Sequence, residues 1–224
     1  MTTLALPMVF SGYWLHAHGE GGGEDFDLVM ERDEDNLPML GGRHVTGLLR
    51  VALRRAEAWN WFDKKSRGVD ALLLGQRSGA GSQDGTDTAP GCLAVGNATV
   101  SEGLRAAVEK EPSLRSEFFS RVASTAIDAR RGVAKPKQLR AIEAAMPLRL
   151  YSYLDFDDAA RRLWCGRDTI ELARLEEAKK LWRGWVATAW PAFDEAGAKR
   201  TRGFGRLAYT ALDDGRHGPA GRAA

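Results

Sequence analysis

LPMLGGRHVTGLLR, residues 37–50, is the stretch from which the fold of this chain is read. From its second half onward Val45, Leu48, Leu49, Ala52, Leu53 and Ala56 recur at helical spacing, while Arg43, Arg50 and Arg54 fall on another side. The pattern predicts an amphipathic helix with a basic flank. Gly41 and Gly42 stand where the chain enters it, and glycine lets a backbone come close to a ligand. A helix start also offers unpaired N–H groups and the positive end of the helix dipole, a natural seat for phosphate, and Arg43 and His44 lie there.

Working outward, residues 4–14 mix β-branched, aromatic and apolar side chains and read as an opening strand. A glycine-rich loop at 19–23, a short strand at 26–32 and a turn at 33–36 lead to the helix. Beyond it, SGAGSQDGTDTAPG at 78–91 is a loop, and 92–95 reads as a short strand. Residues 118–127 and 146–156 read as strands, and between them Gly132, Pro136 and a cluster of bases predict a long basic hairpin. Leu175, Ala178, Trp182, Trp185, Val186 and Ala189 make a second helical stripe, with Trp164, Trp182, Trp185 and Trp190 assigned to the core. A glycine-interrupted strand at 204–212 precedes a polar tail, 213–224.

The resulting order predicts an α+β fold with a ferredoxin-like (RRM-like) βαββαβ core, the large insertion falling between the third and fourth strands. One domain is expected over 1–212, with an acidic loop at about 19–36, a loop at 76–91 and the hairpin at 128–140 as insertions. That fold serves many functions, so function must come from particular residues.

Composition excludes some classes. With 44% hydrophobic and 28% charged residues and no apolar run of the ~18 residues a bilayer span needs, no membrane role is expected. The apolar opening residues lack a basic leader and a small-residue cleavage site, so the cytoplasm is the expected compartment. Cys92 and Cys165 have no metal-ligand spacing and are expected to be free thiols. The net charge of +2 conceals segregation: residues 20–35 hold eight acids against Arg32, 199–206 hold four bases and no acid, and 128–140 hold five bases against Asp128. Such basic patches either bind phosphates or form solvated faces.

Four stretches in register resemble the RAMP superfamily of CRISPR-associated proteins, most closely the repeated backbone subunit of type III-like effector complexes. Residues 37–50 resemble the family's L-P-x-x-P-G-S-S-x-K-G-x-x-R entry into the first helix. LLLG at 72–75 with GCLAVGNA at 91–98 is similar to its strand pair, F-G then G-x-L-x-x-x-D-A. Residues 126–148 resemble its segment with I-D, T-G-x-A and L-R-x-x-E, and GAKRTRGFGRL at 197–207 is similar to its glycine-rich loop. There are departures: Gly41 stands for proline, Arg43 and His44 for two serines, Thr46 for lysine and Asn97 for aspartate.

The resemblance implies partners: a guide crRNA, a target RNA or DNA, other effector subunits, and further copies of the chain along the guide. It implies RNA contacts at Gly42, Arg43, His44, Thr46 and Arg50, and in the loop at Lys199, Arg200, Arg202, Gly203, Gly205 and Arg206. Arg130, Arg131, Lys135 and Lys137 match the family's thumb, a hairpin that crosses the guide–target duplex. A flexible basic loop follows a nucleic-acid backbone without reading bases, as a guide-independent grip requires.

In type III complexes the backbone subunit carries an aspartate shortly before the L-P motif that cleaves target RNA. Asp27 falls nearest that position, with Asp25 second, and either would recruit a divalent metal such as Mg or activate a ribose 2′-hydroxyl. The competing reading is an acidic loop that meets a neighbouring subunit. His16 and His18, placed by their spacing on one strand face, suit metal binding or acid–base chemistry and keep one alternative open, a crRNA-processing endoribonuclease. The resemblance leaves a second alternative, a single-copy subunit that caps the crRNA.

Overall fold

The computed structural model of the chain describes residues 3–17, 26–63, 66–76, 88–128, 130–210 and 212. Its centre is β1 (Leu4–Phe10), apolar along both faces and buried at every position but Val9. The helix α1 (Gly42–Ala58) follows and turns Val45, Leu49, Ala52, Leu53 and Ala56 inward, as its periodicity predicts. After α2 (Val69–Leu74) come β2 (Leu93–Val95) and α3 (Glu102–Lys110), whose start is capped by Ser101 accepting from the Leu104 N–H. A 3-10 segment, Pro112–Phe118, leads into β3 (Phe119–Ile127) and β4 (Ala134–Ala145). The chain then runs through β5 (Arg149–Phe156), α4 (Ala159–Cys165), α5 (Thr169–Ala189) and the two-residue β6 (Leu207–Ala208).

The main sheet has the order β2-β5-β1-β6, and each neighbouring pair is antiparallel. In β5 Leu150, Ser152 and Leu154 point inward and alternate with half-buried partners, the signature of a sheet with one covered face. The helices α1 and α5 pack on each other, and Trp182, Val186 and Ala189 join the strand side chains in one core. Trp190 and Trp182 are buried and Trp185 packs partly against the core, but Trp164 is 46% exposed and lies under the Arg161 guanidinium. Cys92 and Cys165 are free and buried, and burial pushes the Cys92 thiol up to about 11.

Besides Trp164, three expectations change. The strands β3 and β4 form a two-stranded sheet of their own, touched on β4 by isolated bridges from Trp14 and Leu28, so the hairpin stands outside the main sheet and falls, in chain order, between its second strand β2 and its third, β5. The insertion therefore does not lie between the third and fourth core strands. The sequence LLLG is the end of the short helix α2 and its Gly75 cap, not a strand. Residues 26–32 form isolated bridges, Leu28 with Ile142 and Met30 with Ala17, in place of a regular strand. No helix among the described residues is long and apolar enough to cross a membrane.

Candidate nucleic-acid interface

The start of α1 is built by three segments far apart in sequence. Gly41 is the N-cap and supplies no side chain, so the Asn97 Oδ1 takes that role and accepts the Gly42 N–H at 2.8 Å. A Cβ on Gly42 would lie 2.5 Å from the Val95 carbonyl oxygen, so only glycine lets the helix seat this close to β2. His44, one turn in, accepts the Gly197 N–H on Nε2 at 3.0 Å. The first, second and last of the four family-like stretches thus meet here.

The glycine-rich loop is held by its backbone. Gly197 has φ +90°, and the next amide, Ala198, donates to the Leu15 carbonyl at 2.7 Å. Gly205 has φ +75°, donates to the Tyr13 carbonyl, accepts from Ala196, and leaves no room for a Cβ beside the Ala196 carbonyl. Between these anchors Lys199 and Gly203 adopt left-handed backbone around a single 3-10 turn, Arg200–Arg202. The side chains of Arg200, Arg202 and Arg206 are exposed, and Gly203 has open space around it. A rigid frame presents a basic tip.

On the neighbouring face, α1 and α2 enclose a cleft of about 510 Å³ lined by Arg43, Thr46, Gly47, Arg50, Arg54, Ala71 and Gln76. The arginines differ in what they are free to do. Arg50 donates to the Leu74 and Gly75 carbonyls at 2.8 Å each and lies 3.6 Å from Asp70, so it fastens the end of α2. Arg54 bonds Asp70 at 2.7 Å but stays 65% exposed. Arg43 is exposed at the rim, and the Thr46 hydroxyl donates to the Gly42 carbonyl inside the helix.

The hairpin tip has its own turn chemistry: the Asp128 carboxylate accepts from the Arg130 and Arg131 amides, and Gly132 takes φ +66°. Both arginine side chains are exposed. Lys135 and Lys137 lie on β4, and their side chains, like His18 and Asp25 altogether, lie outside the described residues.

Asp27 is exposed at the base of this hairpin and is bound to it twice: its N–H donates to the Ala141 carbonyl at 2.8 Å, and its Oδ2 accepts from the Ala141 N–H at 2.9 Å. Three of the four acids in 28–35 are committed to structure, Glu34 being exposed. Glu31 lies 2.7 Å from the His16 Nε2, Asp33 and Asp35 both hold Arg105, and Arg32 pairs with Glu143 at 2.6 Å. These two aspartates hold the Arg105 guanidinium above its usual range, although its burial opposes them. Among the described residues no three His, Cys, Asp or Glu side chains gather as a metal site. Asp27 by itself is one ligand, not a centre.

Asn97, Gly197 and Gln76 were not singled out as site residues by sequence. Asn97 carried a signal as a departure within a motif, whereas nothing local marks a glycine as the partner of a histidine 153 positions away.

No protein-family model matches the chain, and no curated protein matches its sequence. Solved structures do match. A chain of the type III-B Cmr-beta bound to cognate target RNA, seen by cryo-EM, aligns with a TM-score of 0.59 at 11% identity, over 95% of this chain and 96% of that one. A chain of type III-B Cmr-beta in its apo state aligns with a TM-score of 0.56, also at 11% identity and with the same coverage. Over nearly its whole length, therefore, this chain shares its fold with chains of the type III-B Cmr-beta CRISPR effector complex.

Proposed function

We propose that this chain is a guide-RNA-binding backbone subunit of a type III CRISPR effector complex. In this role it assembles in several copies along a crRNA and holds the target strand against it. The observation that carries the reading is the convergence at the start of α1. Gly42, capped by Asn97, and Gly197, bonded to His44, set the exposed Arg43 beside a loop that displays Arg200, Arg202 and Arg206. Such a surface meets phosphates and carries no base-reading pattern, which is what a subunit repeated along a guide needs. The fold shared with Cmr-beta chains supports the same reading.

We read the main sheet as a ferredoxin-like core. Its strands in chain order, β1, β2, β5 and β6, stand in the spatial order second, third, first, fourth, with α1 and α5 as the two crossover helices. The β3–β4 hairpin is then the thumb, with Arg130 and Arg131 at its tip contacting the guide–target duplex.

We infer further that Asp27 acts on the target. Its carboxylate is fixed through one oxygen to the thumb strand, which leaves the other to accept the proton of a ribose 2′-hydroxyl as the 2′-oxygen bonds to the adjacent phosphorus. The P–O5′ bond breaks, and the departing 5′-oxygen takes a proton from water, leaving a 2′,3′-cyclic phosphate and a 5′-hydroxyl. A divalent ion bound there would need RNA phosphates, water and Asp25 to complete its shell. The test is to purify the chain with a guide RNA and partner subunits and add labelled complementary RNA with and without magnesium. Regularly spaced cuts by the wild type that vanish in Asp27→Ala, with target binding intact, assign the chemistry to Asp27. Binding with no cuts in either protein makes the chain a non-cleaving backbone.

A further inference from the structure

His44 is matched by the family pattern to an RNA contact, but its Nε2 is already occupied by the Gly197 amide at 3.0 Å. The loop entry is pinned at two successive amides, Gly197 to His44 and Ala198 to the Leu15 carbonyl. The residue after Leu15 closes the cluster: the His16 ring lies 4.5 Å from the His44 ring, and its Nε2 meets the Glu31 carboxylate at 2.7 Å. Three segments therefore meet at the His44 imidazole, the run after β1, the first turn of α1 and the glycine-rich loop, and Glu31 from the run before α1 joins them through His16.

We propose that His44 is a positioning residue, a neutral hydrogen-bond acceptor that locks the basic loop 197–206 onto the start of α1 so that the two RNA-facing segments act as one rigid grip. The proposal rests on reading these segments as RNA-facing. An imidazole nitrogen that accepts an amide proton must be unprotonated, so the ring carries its one proton on Nδ1. Protonation at Nε2 would set N–H against N–H and release the loop. The surroundings favour the neutral form: burial first, then the charges of His16 and Arg200, push His44 down to about 4. These two face it from the run after β1 and from the loop, and Glu31 is directed to His16. A lower pH is thus expected to weaken this part of the grip, the opposite of what a histidine that salt-bridges phosphate would do.

The test compares His44→Gln, whose amide oxygen can accept from Gly197 without titrating, with His44→Leu, which cannot accept, in the full chain. Two quantities are read at neutral pH: hydrogen exchange of the Gly197 amide without RNA, by NMR, and affinity for a fluorescent single-stranded guide RNA. In His44→Leu, Gly197 should exchange about tenfold faster and RNA should bind about tenfold more weakly, the scale of one hydrogen bond, while His44→Gln stays within about threefold of wild type in both. Adding Arg200→Gln to His44→Leu should then cost less than it does in the wild type, because the loop is already released. The proposal is overturned if His44→Leu leaves either quantity at its wild-type value, or if His44→Gln is as damaging as His44→Leu. A wild-type chain that binds no RNA would overturn the RNA reading instead, and exchange at Gly197 would still decide whether His44 fastens the loop.

Discussion

The Gly42 amide donates to the Asn97 side-chain oxygen across 2.8 Å, so a residue two positions past β2 caps the helix that the sequence marks most clearly. Helix caps of this kind contribute about 1 kcal/mol. Asn97→Ala should therefore lower unfolding free energy by about that amount, measured by urea denaturation. Asn97→Asp keeps an acceptor at the positive end of the helix and should unfold at or above the wild-type midpoint.

The two loop glycines separate backbone conformation from packing. Gly203 has φ +83° with open space around it, so Gly203→Ala meets only the left-handed strain of about 1 kcal/mol. Gly205 has a similar φ, but its Cβ would collide with the Ala196 carbonyl, which is backbone and cannot step aside. Gly205→Ala should cost well over twice as much, read as a lower midpoint and a loop detached from residues 13–15. Equal effects would contradict the packing argument.

Stability should depend on pH in a window set by His44. The folded chain keeps this ring neutral down to about 4, whereas the unfolded chain binds a proton near the ordinary value of 6.5. Between those values the unfolded state holds more protons, so the contribution of neutral His44 is complete above about 6.5, declines as pH falls, and is gone below about 4. Comparison of wild type with His44→Gln by thermal unfolding should show the mutant with a shallower slope across that window.

Affinity for RNA should be electrostatic and indifferent to sequence. Replacing Arg200, Arg202 and Arg206 by Gln should weaken all guide sequences alike. The slope of log affinity against log salt should flatten by roughly 0.7 for each single-strand phosphate that the loop no longer neutralises. Weakening confined to one guide sequence would indicate base reading.

The helices were legible because their apolar stripes repeat: every residue named for α1 other than the half-buried Leu48 is buried, and the α5 stripe is buried but for the partly covered Trp185. The last part of the hairpin was not. Residues 134–145, AKPKQLRAIEAA, are mostly poor strand formers, and they are extended because β3 pairs along them and because Trp14 and Leu28 bridge to Ala145 and Ile142. LLLG was ambiguous for the opposite reason, since a short apolar run has no period that separates a strand from a helix turn. At the site, the basic and glycine-rich composition of each segment was visible, and their meeting was not. Arg50 counts among the RNA contacts through its match to the family motif, and nothing local shows that it also bonds the Leu74 and Gly75 carbonyls and lies beside Asp70. Side-chain pairs such as Gly42–Asn97 and His44–Gly197 are products of the fold, set by no local pattern.

Copy number on the guide tests the central claim most directly. Complexes assembled from the chain and its partner subunits on guide RNAs of increasing length should be weighed by native mass spectrometry. A backbone subunit adds copies in steps as the guide lengthens; a single copy on every guide, whatever its length, would contradict the account and make this chain a cap.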